Sequence, residues 1–145
     1  MIVFFDTTVL VAASVLSHPH YAQARPALIR VATGMDKGFM AQHSIAEVFA
    51  TLTRLPIQPR IHPSEASRIL VENILSHFEV LPLTTEAYLK AMSTMTLGGW
   101  IGAKIYDALL LQSAITCGAD RIYTFNLGDF RQLASMDLQH KICAP

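Results

Sequence analysis

Short, mostly apolar runs alternate along this chain with longer segments of helical periodicity, and this alternation constrains the fold most. Apolar runs of this length indicate strands that are buried on both faces. The predicted strands are Met1–Phe5, Gly38–Ala41, Phe78–Leu81, Arg121–Thr124 and Lys141–Cys143. Because strands that alternate with helices pair in parallel, the pattern predicts a three-layer α/β/α sandwich whose mainly parallel central sheet has about 4–5 strands.

Apolar side chains recur at helical spacing between these runs. The predicted helices are Pro19–Thr33, Ser44–Leu55, Pro63–His77, Thr84–Thr96 and Ala103–Cys117, with shorter helices or turns at Val9–Leu16 and Asn126–Leu133. Gly118 is expected to end the long apolar helix. No internal repeat or long linker interrupts the 145 residues, so we expect a single domain over residues 1–145.

Composition limits the classes of function. Eleven basic residues balance eleven acidic ones, so the protein does not hold nucleic acid by a large positive field, although a bound metal can supply local positive charge. No run approaches the roughly 20 apolar residues of a membrane span, and the N-terminus lacks the basic region of a signal peptide. We therefore expect a cytoplasmic protein. A mean hydropathy of +0.36 predicts that another chain, such as a second copy, covers part of the surface.

Four carboxylates stand where the predicted topology brings separate elements together. Asp6 follows the first strand, Glu47 lies in the first turn after the second, Asp107 lies in the most apolar helix, and Asp129 follows the fourth strand. Ligands of parallel sheets bind beyond the carboxyl ends of the strands, so we expect the four acids to converge. Clustered carboxylates ionise together only beside positive charge, and Mg²⁺ or Mn²⁺ supplies it. Such a site in a small α/β domain indicates phosphodiester cleavage.

The two acids in the N-terminal half of the chain, Asp6 and Glu47, could instead cap the helix or turn beside them. Asp6 is placed to cap the turn that follows it. Ser44-Ile-Ala-Glu47 fits the capping box, in which a glutamate closes the start of its own helix. The residues alone leave both interpretations open.

The other two acids have local alternatives as well. Asp107 follows Lys104 by three residues, so an ion pair on one helix face is the simple alternative to a metal ligand. Asn126 is placed to cap a helix whose dipole favours Asp129 in its first turn. Three further aspartates lie in polar or turn contexts and are expected to face solvent: Asp36, Asp120 and Asp137.

With these residues in view, the chain resembles the PIN domain family and, within it, the VapC-type toxins of toxin–antitoxin pairs. The matching fragments are Phe5-Asp6-Thr7-Thr8-Val9-Leu10, Ser44-x-x-Glu47-Val48, Asp107-Ala108-Leu109-Leu110-Leu111-Gln112-Ser113-Ala114 and Thr124-Phe125-Asn126-Leu127-Gly128-Asp129-Phe130. The resemblance implies a PIN-like sandwich and a ribonuclease that depends on Mg²⁺ or Mn²⁺, with one or two ions. It implies Asp6, Glu47, Asp107 and Asp129 as catalytic and metal-binding residues, supported by Thr7, Thr124 and Asn126.

Two positions depart from the family pattern. Thr8 stands where the family often has asparagine or serine, and Asn126 stands where it often has an acid. Either Asp129 supplies the fourth carboxylate or the site has three. Asparagine at position 126 therefore puts the binding of a second metal ion in question more than that of the first. Thr8 also occupies the position where a phosphatase of the haloacid-dehalogenase type needs its second acid.

The resemblance implies partners as well. The substrate would be RNA, with tRNA and rRNA as candidates, and a small antitoxin would lay an apolar segment into a groove of the protein. The alternative is a non-catalytic PIN-like module that binds RNA or protein, which the asparagine at position 126 leaves open. Metal-dependent cleavage distinguishes the enzyme from this module.

Overall fold

A single parallel sheet forms the centre of the molecule, as the short apolar runs predict. The computed structural model describes residues 1–145 and contains β1 (Ile2–Phe5), β2 (Lys37–Ala41), β3 (Phe78–Leu81), β4 (Arg121–Tyr123) and β5 (Ile142–Cys143). The strands lie in the order β3-β2-β1-β4-β5, and every neighbouring pair is parallel. A central parallel strand is buried on both faces, which explains why β1 is apolar throughout.

Seven α-helices surround the sheet, and their positions agree with the helical periodicity. They are α1 (Thr7–Ser14), α2 (Tyr21–Ala32), α3 (His43–Arg54), α4 (Pro63–Arg68), α5 (Thr85–Gly98), α6 (Lys104–Thr116) and α7 (Leu127–Leu133). The predicted helix Pro63–His77 is divided, because a π-helix over Ile69–Leu75 continues α4. A 3₁₀ turn, Gln139–Lys141, precedes β5. Gly118 follows α6 with φ of +66°, the left-handed conformation that ends many helices.

Side chains on the two faces of the sheet pack into two separate apolar clusters, which confirms the three-layer prediction. Val3 and Phe5 of β1 belong to the cluster that includes residues of α1, α2 and α3. Phe4, between them, belongs to the cluster formed with α5, α6 and α7. Successive side chains of a strand point to opposite faces, so the apolar run of β1 supplies both cores at once.

The order of the strands creates a crevice beside β1. The chain leaves β1 towards β2 on one side and later returns to pair β4 on the other side. In parallel α/β sheets this reversal opens a crevice at the carboxyl ends of the two strands, where ligands bind. Asp6 and Thr124 are the residues that immediately follow β1 and β4. None of the helices is both long enough and apolar enough to cross a membrane.

Asp36 departs from the expectation that it faces solvent, since its side chain is only 2% exposed. Arg30 contacts both carboxylate oxygens, with Nε 2.6 Å from Oδ2 and an Nη atom 3.1 Å from Oδ1. The amino group of Met1 lies 3.0 Å from Oδ1. Hydrogen bonds from the guanidinium hold the pKa of Asp36 below its usual range. This ion pair fastens the end of α2 to the start of the sheet.

Replacing Asp36 with asparagine is expected to lower the free energy of unfolding at pH 7 by about 1 kcal/mol, since its partner Arg30 is half exposed and partly screened. The folded pKa lies below the unfolded one. The contribution of Asp36 is therefore present above its unfolded pKa, about 3.9, and is lost as the pH falls through the folded pKa. Urea denaturation of the parent and variant from neutral pH to about pH 2 measures this difference. A difference that does not shrink on acidification, or that appears equally in Glu72→Gln, contradicts the assignment.

Candidate active site

Asp6 directly follows the central strand β1 at the crevice, and only 3% of its surface is exposed. It occupies the position before α1, but its side chain does not cap that helix. Instead, the hydroxyls of Thr8 and Thr124 donate to Oδ2 at 2.6 and 2.8 Å. The interpretation of Asp6 as a helix cap is therefore wrong. Burial raises the pKa of Asp6, and the two hydroxyl hydrogen bonds oppose that increase.

The hydroxyls that bind Asp6 are themselves oriented by the loop that follows β4. The backbone N–H of Asn126 donates to Thr124 Oγ1 at 2.9 Å, and that of Phe125 donates to Thr8 Oγ1 at 3.3 Å. Because each hydroxyl accepts from the backbone, its single hydrogen is available for the carboxylate. The loop between β4 and α7 thus determines how Asp6 is held.

Glu47 turns towards α1 and does not close the start of its own helix. Thr7 Oγ1 donates to Glu47 Oε2 at 2.8 Å, and His43 Nε2 lies 2.7 Å from Oε1. The helix begins at His43, after Gln42, whose side chain makes no capping hydrogen bond. Ser44 lies inside the helix, with its Oγ 3.1 Å from that of Thr7. The capping-box interpretation of Glu47 is therefore wrong.

Asp107 projects from the first turn of α6 towards the other acids. Burial is the main cause that raises the pKa of Asp107 to about 7, followed by the charges of Asp6, Asp129 and Glu47. Asn126 Nδ2 donates to Asp107 Oδ2 at 3.0 Å. Although Asn126 precedes α7, its side chain makes no capping hydrogen bond there. The amide at this unusual position therefore supports a carboxylate of the site.

Lys104 pairs with Asp129 and not with Asp107, so the alternative interpretation of Asp107, an ion pair on one helix face, is wrong. Its Nζ lies 3.0 Å from Asp129 Oδ1 and 4.0 Å from the centre of the Trp100 ring. The Asp129 side chain is 45% exposed, and hydrogen bonds from Asn126 and Lys104 hold its pKa below the usual range. Asp129 thus lies at the rim and is already balanced by a lysine, whereas Asp107 is not.

The donor set suits a hard divalent cation in its chemistry, although the carboxylates do not form a closed shell. No three Asp, Glu, His or Cys side chains stand close enough together to hold a metal ion. Neighbouring carboxylates nevertheless contribute to the raised pKa values of Asp107, which faces Asp6, Asp129 and Glu47, and of Asp6, which faces Glu47. Oxygen donors with uncompensated negative charge are the ligands that Mg²⁺ and Mn²⁺ prefer. A bound cation would have to draw these carboxylates closer together than they now stand.

His43 is a site residue that the sequence analysis missed. Besides its contact with Glu47, its ring stacks on that of Tyr106, with centroids 5.3 Å apart and planes 4° from parallel. The spacing in the sequence could have indicated the contact with Glu47, because His43 precedes Glu47 by four residues and therefore lies on the same helix face. The stack could not be inferred, because Tyr106 belongs to a distant helix.

Known proteins share both the sequence pattern and the fold of this chain. The PIN domain model matches residues 3–135. The chain belongs to the PIN domain family. Ribonuclease VapC27 from Mycobacterium tuberculosis is 32% identical over 72 residues, and this alignment spans half of this chain and half the length of that relative.

Solved structures share the fold of this PIN domain. VapC20 from M. tuberculosis, a sarcin–ricin loop cleaving toxin, has a TM-score of 0.67 at 18% identity over 88% of this chain and 92% of its own. FitAcB from Neisseria gonorrhoeae has a TM-score of 0.66 at 16% identity, over 90% and 92%. VapBC2 from Rickettsia felis, bound to a DNA fragment from its promoter, has a TM-score of 0.62 at 17% identity, over 91% and 92%. The predicted PIN-like sandwich is therefore confirmed.

Asp107 is expected to make the metal-free protein less stable as the pH rises. Its folded pKa lies above the unfolded one, so its contribution is fully present below about pH 4 and is lost as the pH rises through about 7. Because the Asp107 side chain is only partly buried and solvent screens its charge, the loss is on the order of 1–2 kcal/mol. Urea denaturation in EDTA should show this loss in the parent and not in Asp107→Asn, which becomes the more stable protein at pH 8.

The exposed substitution Glu72→Gln serves as the control and should retain the parent's pH dependence. Equal pH profiles for the parent and Asp107→Asn would show that this carboxyl titrates normally.

Proposed function

We propose that this protein is a metal-dependent endoribonuclease and the toxin of a type II toxin–antitoxin pair. The observation that carries the proposal is the buried Asp6 carboxylate at the crevice beside β1, which shares its electrostatic field with Glu47 and Asp107. No lysine or arginine forms an ion pair with any of these three acids. Membership of the PIN family and the similarity to Ribonuclease VapC27 support the same activity.

In this proposal Asp6, Glu47 and Asp107 hold Mg²⁺ or Mn²⁺, and Asp129 assists from the rim. When bound, the ion supplies Lewis-acid chemistry that favours hydroxide over water and offsets negative charge on the phosphate. The exposed, lysine-paired state of Asp129 makes it the weakest candidate of the four. One ion is therefore the simpler assignment.

The chain's own contribution is to hold the carboxylates in place. Thr7 binds Glu47, Thr124 binds Asp6, and Asn126 binds Asp107, each through one hydrogen bond. Such neighbours restrict the rotamers of ligand side chains and direct their free oxygens. We assign these three residues a positioning role. Cleavage of this type is expected to leave 3′-hydroxyl and 5′-phosphate ends.

A non-catalytic RNA- or protein-binding role is the second candidate. It is favoured by the absence of three metal-ligating side chains close to one point. It is also favoured by the amide at position 126, which adds no negative charge to the site. Cleavage that depends on both a divalent metal and Asp6 distinguishes the enzyme from this module.

Replacement of Asp6 with asparagine is expected to reduce RNA cleavage by at least about 10³-fold, because several kcal/mol of charge stabilisation would be lost. Cleavage of total RNA, individual tRNAs and rRNA fragments would be measured with Mn²⁺, with EDTA, and with the variant. The exposed substitution Asp137→Asn is the control and should leave the rate unchanged. Full activity in Asp6→Asn, or activity that survives EDTA, contradicts the mechanism.

The surface beside the site offers a place for an apolar partner segment. A groove of about 550 Å³ lies between α3 and the π-helix and is lined by Ile45, Phe49, Leu70 and Val71, among others. Glu47 lies between Ile45 and Phe49 in the chain, so a segment in this groove runs beside the helix that carries the acid. We propose it as the docking place of a small antitoxin, which would present the apolar face of a helix. Homodimerisation stays a prediction.

Val71→Asp is expected to weaken the complex with the proposed antitoxin by at least about tenfold, because a charge would be buried in the groove. Val71 is 55% exposed, so the substitution should not unfold the chain. Met136→Asp, at a residue that is also exposed, is the control. Calorimetric titration of the purified proteins measures the effect. Equal affinity for both variants would place the partner elsewhere.

A further inference from the structure

Two stacked pairs of rings, each formed by a histidine and an aromatic residue, are linked by contacts to acids of the crevice. His43 lies on Tyr106 with ring centroids 5.3 Å apart and planes 4° from parallel. His20 lies on Phe125 with centroids 4.4 Å apart and planes 19° from parallel. The four residues come from four separate parts of the chain, so the tertiary structure alone assembles these pairs.

The first pair adjoins the site through two of its acids. His43 Nε2 lies 2.7 Å from Glu47 Oε1, and Tyr106 immediately precedes Asp107 in the chain. Tyr106 is 48% exposed, so its ring is available to a ligand that enters the crevice from this side.

The second pair adjoins the site from the loop after β4. The backbone N–H of Phe125 donates to Thr8 Oγ1, and that hydroxyl donates to Asp6 Oδ2. His20 is exposed above the Phe125 ring. Both pairs are therefore connected to buried or half-buried carboxylates by short chains of contacts, one through Glu47 and the other through Asp6.

A neutral protein needs a source of RNA affinity other than a positive field. The chain carries eleven basic and eleven acidic residues. The lysine at the crevice, Lys104, is already engaged by Asp129 and Trp100. Stacking of bases on aromatic side chains requires no net positive charge, contributes about 1–3 kcal/mol per base and tolerates any base. Bases in a duplex are already stacked, so such contacts select unpaired nucleotides.

We propose that the His43–Tyr106 and His20–Phe125 pairs are base-stacking platforms for single-stranded RNA, which receive unpaired nucleotides on the two sides of the phosphate held over the crevice. This inference rests on the proposed ribonuclease function and assigns the residues that would hold the bases on either side of the cleaved bond. The two platforms supply affinity that the neutral surface does not, and they use none of the carboxylates that are proposed to hold the metal ion.

Binding would be measured by fluorescence anisotropy in the Asp6→Asn protein, so that the probe is not cleaved. The probe is a labelled single-stranded RNA of randomised sequence and about 12 nucleotides, a typical site size for single-strand binding. A second probe of equal length consists of abasic nucleotides, which retain the phosphates and lack the bases. Comparison of the two probes separates stacking from contacts to the backbone.

Tyr106→Leu and His20→Ala are each expected to raise the Kd for the base-bearing strand at least about fivefold. Tyr106→Phe and His20→Phe keep a ring and should bind like the parent. His77→Ala is the further control, because His77 is exposed and lies at the amino end of β3, whereas the crevice lies at the carboxyl ends of β1 and β4. On the abasic strand, all variants should match the parent. The slope of log Kd against log salt should not change, because no phosphate contact is removed.

Unchanged affinity of Tyr106→Leu and His20→Ala for the base-bearing strand overturns the inference, as does an equal loss on both strands. If the unmodified protein cleaves RNA with Mn²⁺ while those variants bind normally, the platforms are wrong and the ribonuclease stands. If the unmodified protein neither binds nor cleaves any RNA tested, the proposed function fails, and the platforms fail with it.

Discussion

The burial of the Asp6 carboxylate at the end of the central strand is the constraint on which the rest of the site depends. A charge in this position loses hydration, and burial accordingly raises its pKa. The structure offsets part of this cost with the hydroxyls of Thr8 and Thr124, which come from opposite sides of the crevice. These two hydrogen bonds join the start of α1 to the loop after β4. The position of that loop in turn places Asn126 against Asp107.

Of the four acids at the crevice, only Asp129 forms an ion pair with a lysine. Lys104 neutralises Asp129 at the rim, while the more buried acids receive only hydroxyl, amide and imidazole partners. The hydroxyl and amide donors hold Asp6 and Asp107 in position without cancelling their charge, so the potential that attracts a cation persists. A lysine paired with Asp107 would have removed much of that potential. The site suits a metal because Thr124 and Asn126 hold Asp6 and Asp107 in place, while the lysine pairs with Asp129 instead.

Much of the fold was predictable, and the errors share one physical cause. Every predicted strand is present, because runs such as Ile2–Phe5 must be buried on both faces wherever they lie. The capping box at Glu47, the pairing of Lys104 with Asp107 and the exposure of Asp36 were wrong. The first two interpretations rested on a local interaction worth about 1 kcal/mol or less, and the third rested on the polar sequence around Asp36. Tertiary partners of similar strength override such preferences readily.

The sequence by itself determined the alternation of strands and helices, the parallel sheet and the identity of the acids that follow its strands. Periodicity and burial are properties of each segment, so they can be read without knowledge of its neighbours. Only the tertiary structure decided which donor each carboxylate receives and which rings stack. The hydrogen bond between Thr124 and Asp6 joins residues 118 positions apart. Its existence depends on the pairing of β1 with β4, which no local pattern encodes.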